Sequence, residues 1–115
     1  MKGANKGKRE LISQDSKTMA CKLTTPELRK RKETVIASLK KQVIEKKELA
    51  NGFSFRFISS DAMVDELAEF IKTERLCCDF FNFNLAVSGR PNEPLWLTIT
   101  GPEGVKGFIV TEVGL

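Results

Sequence analysis

Asn51-Gly52, followed by Phe53-Ser54-Phe55-Arg56-Phe57, constrains this chain more than any other stretch. Asn-Gly is a strong hairpin signal because both residues tolerate positive φ. The run behind it alternates with the period of a strand. Phe53, Phe55 and Phe57 share one face, and Ser54 and Arg56 share the other. A strand with three aromatic rings on one face needs a second layer to cover it, which points to a sheet packed against helices or another sheet. The first strand of the hairpin is the weaker, expected from about Val43 to Leu49, and its partner is expected from Phe53 to Ile58.

Two further runs repeat the alternation. Phe81, Phe83, Leu85 and Val87 alternate with Asn82, Asn84 and Ala86, while Leu95, Leu97 and Ile99 alternate with Trp96, Thr98 and Thr100. The stretch from Ser88 to Pro94 between them is rich in Gly, Pro and Asn and reads as a loop. Helical spacing fills the rest. Thr24-Thr25-Pro26-Glu27 is a helix start, with a capping hydroxyl and a Pro tolerated in the first turn. That helix is expected to reach about Gln42, on a stripe of Leu28, Val35, Leu39 and Val43 with Ile36 beside it, interrupted by Lys32. Ser60 is the expected cap of a second helix that runs to about Cys77 on a stripe of Val64, Leu67, Ala68 and Ile71. Gly101-Pro102-Glu103-Gly104 turns into a short terminal helix containing Val105, Phe108 and Ile109.

The order predicts an α+β fold: an N-terminal helix, then two ββα units, making a four-stranded antiparallel sheet with helices on one face. The open face would carry Arg56, Asn82, Asn84, Trp96, Thr98 and Thr100. Such a face is usually solvated. A Trp there points to a contact surface, so Trp96, Arg56, Asn82 and Asn84 form a candidate homodimer interface.

The 115 residues fit one domain, expected over residues 19–115 behind a polar, Gly/Lys-rich tail at 1–18 that is expected to be disordered. Met19 is a second candidate start. No stretch approaches the roughly 18–20 apolar residues of a membrane span. The basic N-terminus has no apolar segment behind it, unlike a secretory signal. The expected location is the cytoplasm. The net charge of +4 is mild. Lys30, Arg31, Lys32, Lys40, Lys41, Lys46 and Lys47 are interleaved with Glu27, Glu33, Glu45 and Glu48, which reads as a solvated surface. Nucleic acid is therefore not an expected partner.

Residues capable of chemistry concentrate in Thr73-Glu74-Arg75-Leu76-Cys77-Cys78-Asp79-Phe80-Phe81. The chain has no His, which excludes Ser/His and Cys/His nucleophile pairs, and no Tyr. Three cysteines, two of them adjacent, are not a disulfide framework. In a reducing compartment the expectation is free or ion-bound thiols. Helical spacing places Glu74 on the buried stripe, within one turn of both Cys77 and Cys78. A buried carboxylate must be paired, protonated or bound to something. Arg75 is next in sequence but points about 100° away around the helix.

Adjacent Cα atoms lie about 3.8 Å apart, so a disulfide between Cys77 and Cys78 is strained, whereas a bond from Cys21 to either is geometrically open. A helix C-terminus disfavours a thiolate, with Arg75 opposing that effect. Three thiols without an imidazole suit a soft ion. Cys21, Cys77, Cys78 and Glu74 are thus candidate ligands of a soft metal or metalloid ion, with Arg75 and Asp79 supporting. Zinc fits if Glu74 or Asp79 completes four-fold coordination. For Cys21 to reach the pair, the first two helices must pack antiparallel. Against this stands simple burial, since Cys is among the most buried residue types.

Glu74-Arg75-Leu76-Cys77-Cys78-Asp79-Phe80, followed by Leu95-Trp96-Leu97-Thr98-Ile99-Thr100-Gly101-Pro102-Glu103-Gly104, resembles a small uncharacterised bacterial family. That family carries an E-R-x-C-C-P-F motif, a later W-L-x-L-T-G-x-x-G segment and an early Cys before a helix. The resemblance covers about Cys21 to Phe108, and Asp79 stands where the family has Pro. It implies that the three cysteines act as one group and supplies no activity.

Three functions compete. One is a cytoplasmic thiol-site protein that binds a soft metal or metalloid ion, or senses redox state, through Cys21, Cys77 and Cys78. Another is a thiol-dependent oxidoreductase using Cys77 and Cys78. The last is a non-catalytic protein or nucleic-acid interaction module using the open sheet face and the basic first helix. The first is preferred, and no catalytic residue or organic cofactor is assigned.

Overall fold

The computed structural model describes residues 25–115. The expected tail, Met19 and Cys21 lie outside the described residues. The elements are α1 (Pro26–Lys40), β1 (Glu45–Leu49), β2 (Gly52–Phe57), α2 (Asp61–Cys77), β3 (Asn82–Ala86), β4 (Leu95–Thr100) and α3 (Val105–Phe108). A widely wound helical segment, Ile109–Val113, continues α3, and its Gly114 amide donates to the Ile109 carbonyl at 3.0 Å. The four strands form one antiparallel sheet in the order β1-β2-β4-β3. This is the expected α+β architecture of an N-terminal helix and two ββα units.

Both expected caps form. The Thr25 hydroxyl accepts from the Leu28 amide at 3.2 Å, and the Ser60 hydroxyl accepts from the Met63 amide at 3.0 Å. Helix α1 ends at Lys40, about half a turn before the expected Gln42, and β1 starts at Glu45 rather than Val43.

The hairpin turn falls on Ala50 and Asn51, and Gly52 is already a strand residue paired with Leu49. Gly52 is not among the positive-φ glycines, so the reason for a glycine there differs from the expected one. Its Cα passes so close to β4 that an added Cβ would fall on the Ile99 backbone carbonyl. Close approach of two backbones, not turn geometry, excludes a side chain at this position.

Phe53, Phe55 and Phe57 join Leu95, Leu97 and Ile99 in the core, and α2 covers them with Met63, Leu67 and Phe70. The buried side of α2 is rotated from the expected stripe. Val64 and Ile71 flank the core, and Ala68 is exposed, because Met63 and Phe70 take the central line with Leu67. The expected strand from Phe81 to Val87 is shorter: Phe81 is buried just ahead of β3, Phe83 and Leu85 are half-buried, and Val87 is exposed past its end. As an edge strand, β3 has core on only part of its face. Gly104 takes φ 93° at the start of α3, which then buries Val105, and Ile109 and Val113 are buried in the segment behind it.

Helices α1 and α2 pack antiparallel. Arg31 pairs with Glu69, while further along α1 Ser38 donates to Glu66 at 2.8 Å. The start of α1 thus lies beside the end of α2, as the shared-site expectation required.

On the open sheet face, Arg56 pairs with Glu45 at 3.0 Å, Ser54 and Thr98 share a hydrogen bond at 2.6 Å, and the Lys47 ammonium sits 4.6 Å from the Trp96 ring centroid. Trp96 is half-buried beneath that cover, and Asn82 and Asn84 are exposed at the β3 edge. Several of the basic residues are engaged within the fold: Arg31 with Glu69, Lys46 over the Phe53 ring and Lys47 over Trp96. No described helix is long and apolar enough to cross a membrane.

Candidate functional site

The end of α2 builds the site. Glu74 and Cys77 fall on the same buried line as Phe70, and both have 0% exposure. At Cys78 the backbone leaves the helix, with φ −126° and ψ 80°, while its amide still donates to the Glu74 carbonyl at 2.6 Å. That exit turns the Cys78 side chain inward, where it too is fully buried. The two neighbouring sulfurs are 3.2 Å apart, and the Cys78 thiol lies 3.7 Å from Glu74 Oε1.

Lys32 enters from α1. It is only 7% exposed, although it stands mid-helix among charged neighbours. Its ammonium lies 3.5 Å from Cys77 Sγ, 3.7 Å from Glu74 Oε1 and 3.3 Å from Glu112 Oε1. Glu112 comes from the segment behind α3 and is a third exposed. An open cleft of about 540 Å³, lined by residues including Arg29, Lys32, Lys40 and Glu112, lies between α1 and this segment. Lys32 therefore spans from the cleft to the Cys77 sulfur.

The remaining Glu74 oxygen, Oε2, is buried and has no hydrogen-bond partner among the described residues. Burial pushes the Glu74 carboxyl above its ordinary range, and Glu112 adds to that, whereas Lys32 and the Cys78 contact pull it down. Burial also pushes the Cys78 thiol up to about 12, with the negative Glu74 adding and Lys32 opposing. Cys78 is a protonated thiol at neutral pH, in keeping with its place at a helix C-terminus.

Cys77 is disulfide-bonded, and Cys78 is free. The expectation of free thiols throughout fails at Cys77. The bond is not the strained one between neighbours. Cys21, the third cysteine expected in the group, lies outside the described residues.

One donor atom from each of Glu74, Cys77 and Cys78 lies within 4.8 Å of the other two. Donors around a tetrahedral ion with bonds of about 2.3 Å lie about 3.8 Å apart, so modest side-chain rotation would bring these three to coordination distance. All three are buried, so any ion they held would be shielded from water.

The two expected supporting residues lie at the surface. Arg75 is exposed on the outer side of α2, because its position falls about 100° from the Glu74 line. Asp79 is exposed just past the helix end. Lys32 and Glu112 were missed. The signal for Lys32 was present: it breaks the apolar stripe of α1 just as Glu74 breaks that of α2. Two stripe-breaking residues of opposite charge on adjacent antiparallel helices imply a buried pair. Glu112 carried no such pattern. Comparison with protein-family models, with curated proteins and with solved structures finds no match.

Proposed function

We propose that this chain is a thiol-site protein that holds a soft metal or metalloid ion when its cysteines are reduced, and that oxidation of Cys77 closes the site. Cys77 and Cys78 supply sulfur and Glu74 supplies an oxygen. The observation that carries this reading is Glu74 Oε2, a fully buried carboxylate oxygen without a partner beside two sulfurs. A buried polar atom is normally satisfied, and a bound ion would satisfy this one. The donors favour a soft ion because sulfur dominates and no imidazole is present. Cys21 remains the expected further sulfur.

The disulfide supplies the redox half. A sulfur in an S–S bond has lost its thiolate charge and no longer serves as a strong ligand. Closing the bond takes two protons and two electrons from a pair of thiols. A low-molecular-weight disulfide would accept both electrons and leave as two thiols. Ion binding and oxidation then compete for the same sulfur.

Thiol–disulfide exchange within the pair is the second reading, favoured by the 3.2 Å sulfur–sulfur separation. In that step the Cys78 thiolate would attack Cys77 Sγ, form the Cys77–Cys78 bond and expel the former partner sulfur as a thiolate. The raised pKa of Cys78, about 12, leaves little thiolate to attack, and the product is the strained vicinal ring. Ion binding is therefore preferred.

The test is a Cd²⁺ titration followed by the ultraviolet sulfur-to-metal charge-transfer band, with native mass for stoichiometry. Reduced protein is expected to take up the ion with proton release, and oxidised protein to take up far less. Cys77→Ser and Cys78→Ser should each abolish the band. Equal binding by reduced protein, oxidised protein and both variants would overturn the reading.

A further inference from the structure

Among the described residues, Lys32 is the cation placed directly against the proposed ligands, and its position bears on the charge of the ion. Its ammonium is 3.5 Å from Cys77 Sγ and 3.7 Å from Glu74 Oε1. An ion coordinated by those atoms would be a near neighbour of a fixed positive charge in a region with little water. Repulsion between the two scales with the charge of the ion. The same ammonium is 3.3 Å from Glu112 Oε1, on a side chain one-third exposed beside the cleft. Glu112 offers Lys32 a place to withdraw to when an ion enters.

Resting on the ion-binding reading above, we propose that Lys32 is the specificity-determining residue of the thiol site, a tethered ammonium that weights it toward soft ions of low charge. Lys32 need not touch the ion. It acts through the field it places on the site and through how far Glu112 draws that field away. An arginine in its place keeps the charge. A methionine keeps most of the apolar stem and removes the charge.

Two soft probes of different charge, Ag⁺ and Cd²⁺, read the effect. Each is titrated into fully reduced protein in competition with a chelator of known affinity, at one pH. The ratio of the two affinities is compared across variants, so that changes in thiol protonation common to both ions largely cancel. Lys32→Met is expected to raise the Cd²⁺/Ag⁺ affinity ratio by at least about tenfold, a conservative reading of a charge–charge term at a few ångströms and an effective dielectric near 20. Lys32→Arg should stay near wild type. Glu112→Gln should move the ratio the other way, because Lys32 loses its second acceptor and the site loses a negative neighbour. Glu112→Gln keeps the test alive should Lys32→Met fold poorly. A ratio unchanged in both Lys32→Met and Glu112→Gln, with the ions still bound, would overturn the role of Lys32 and leave the thiol site standing. Failure of reduced wild-type protein to bind either ion would overturn the ion-binding reading itself.

Discussion

Glu74→Gln should change how the stability of the ion-free protein depends on pH. The substitution keeps the side-chain shape and removes the ionisable group. Two effects oppose each other at Glu74: burial at 0% exposure favours the neutral acid, and Lys32 at 3.7 Å favours the carboxylate. Burial wins, so the folded-state pKa is raised above the ordinary 4.5. The folded protein then holds its proton to higher pH than the unfolded chain does. The contribution of Glu74 is fully present below 4.5 and is lost as pH rises through the folded-state value. One group can contribute a slope of at most about 1.4 kcal/mol per pH unit in that window. Among the described residues, the groups facing Glu74 are Lys32, Cys78 and Glu112. Lys32 and Glu112 are the same in both proteins, so the difference between them isolates residue 74. The assay is urea unfolding of oxidised wild type and Glu74→Gln at steps from acid to neutral pH. The stability of Glu74→Gln relative to wild type should rise with pH and then level off. Lys32 keeps its Glu112 partner at 3.3 Å in the variant, so the amide does not strand the ammonium. A difference that stays flat, or that falls as pH rises, would mean that the Lys32 pairing outweighs burial and would refute the reasoning.

The remaining predictions concern the scaffold. Leu67→Ala, at a fully buried position on α2, should cost about 2–5 kcal/mol by urea unfolding. Phe55→Ala should cost about 3–5 kcal/mol, and Phe83→Ala less, because Phe83 is half-buried on an edge strand. Gly52→Ala should destabilise strongly, since the new methyl would meet the Ile99 carbonyl; a melting temperature within a degree or two of wild type would show that β2 and β4 separate easily. Ser60→Ala should cost about 1 kcal/mol through loss of the α2 cap, while Ser60→Asp should hold stability near wild type.

The strands were readable because alternation reports burial directly: Phe53, Phe55 and Phe57, and later Leu95, Leu97 and Ile99, each had one face to fill. Both helix starts were readable because Thr25 and Ser60 carry their own hydrogen-bond acceptors. The buried α2 face differs from the spacing-based stripe because Val64, Leu67, Ala68 and Ile71 also fit helical spacing, and only packing against the aromatic sheet selects Met63 and Phe70. The Asn51-Gly52 pair signals a turn, but a two-residue signal cannot show which strand passes closest to Gly52. At the site, the line Phe70–Glu74–Cys77 was legible from spacing alone. Lys32 was visible as an interruption but not as a partner, since its meaning depends on which helix lies opposite. Glu112 is brought in by the widely wound segment behind α3, a tertiary arrangement that no local pattern announces.

The Lys32–Glu74 pair is hard to account for as a stabilising device. Removing two charges from water costs several kcal/mol each, and a buried ion pair often does no better than well-packed apolar residues of similar size. The antiparallel crossing of α1 and α2 could be filled by a leucine at each position, continuing the stripes of Leu28 and Val35 on one helix and Phe70 and Cys77 on the other. Instead the crossing holds an ammonium, a carboxylate with one unpartnered oxygen, and two sulfurs. Together they form a charged pocket in which, among the described residues, no donor meets Glu74 Oε2. On the proposed ion-binding reading, the same carboxylate and sulfurs would serve as ligands of a cation.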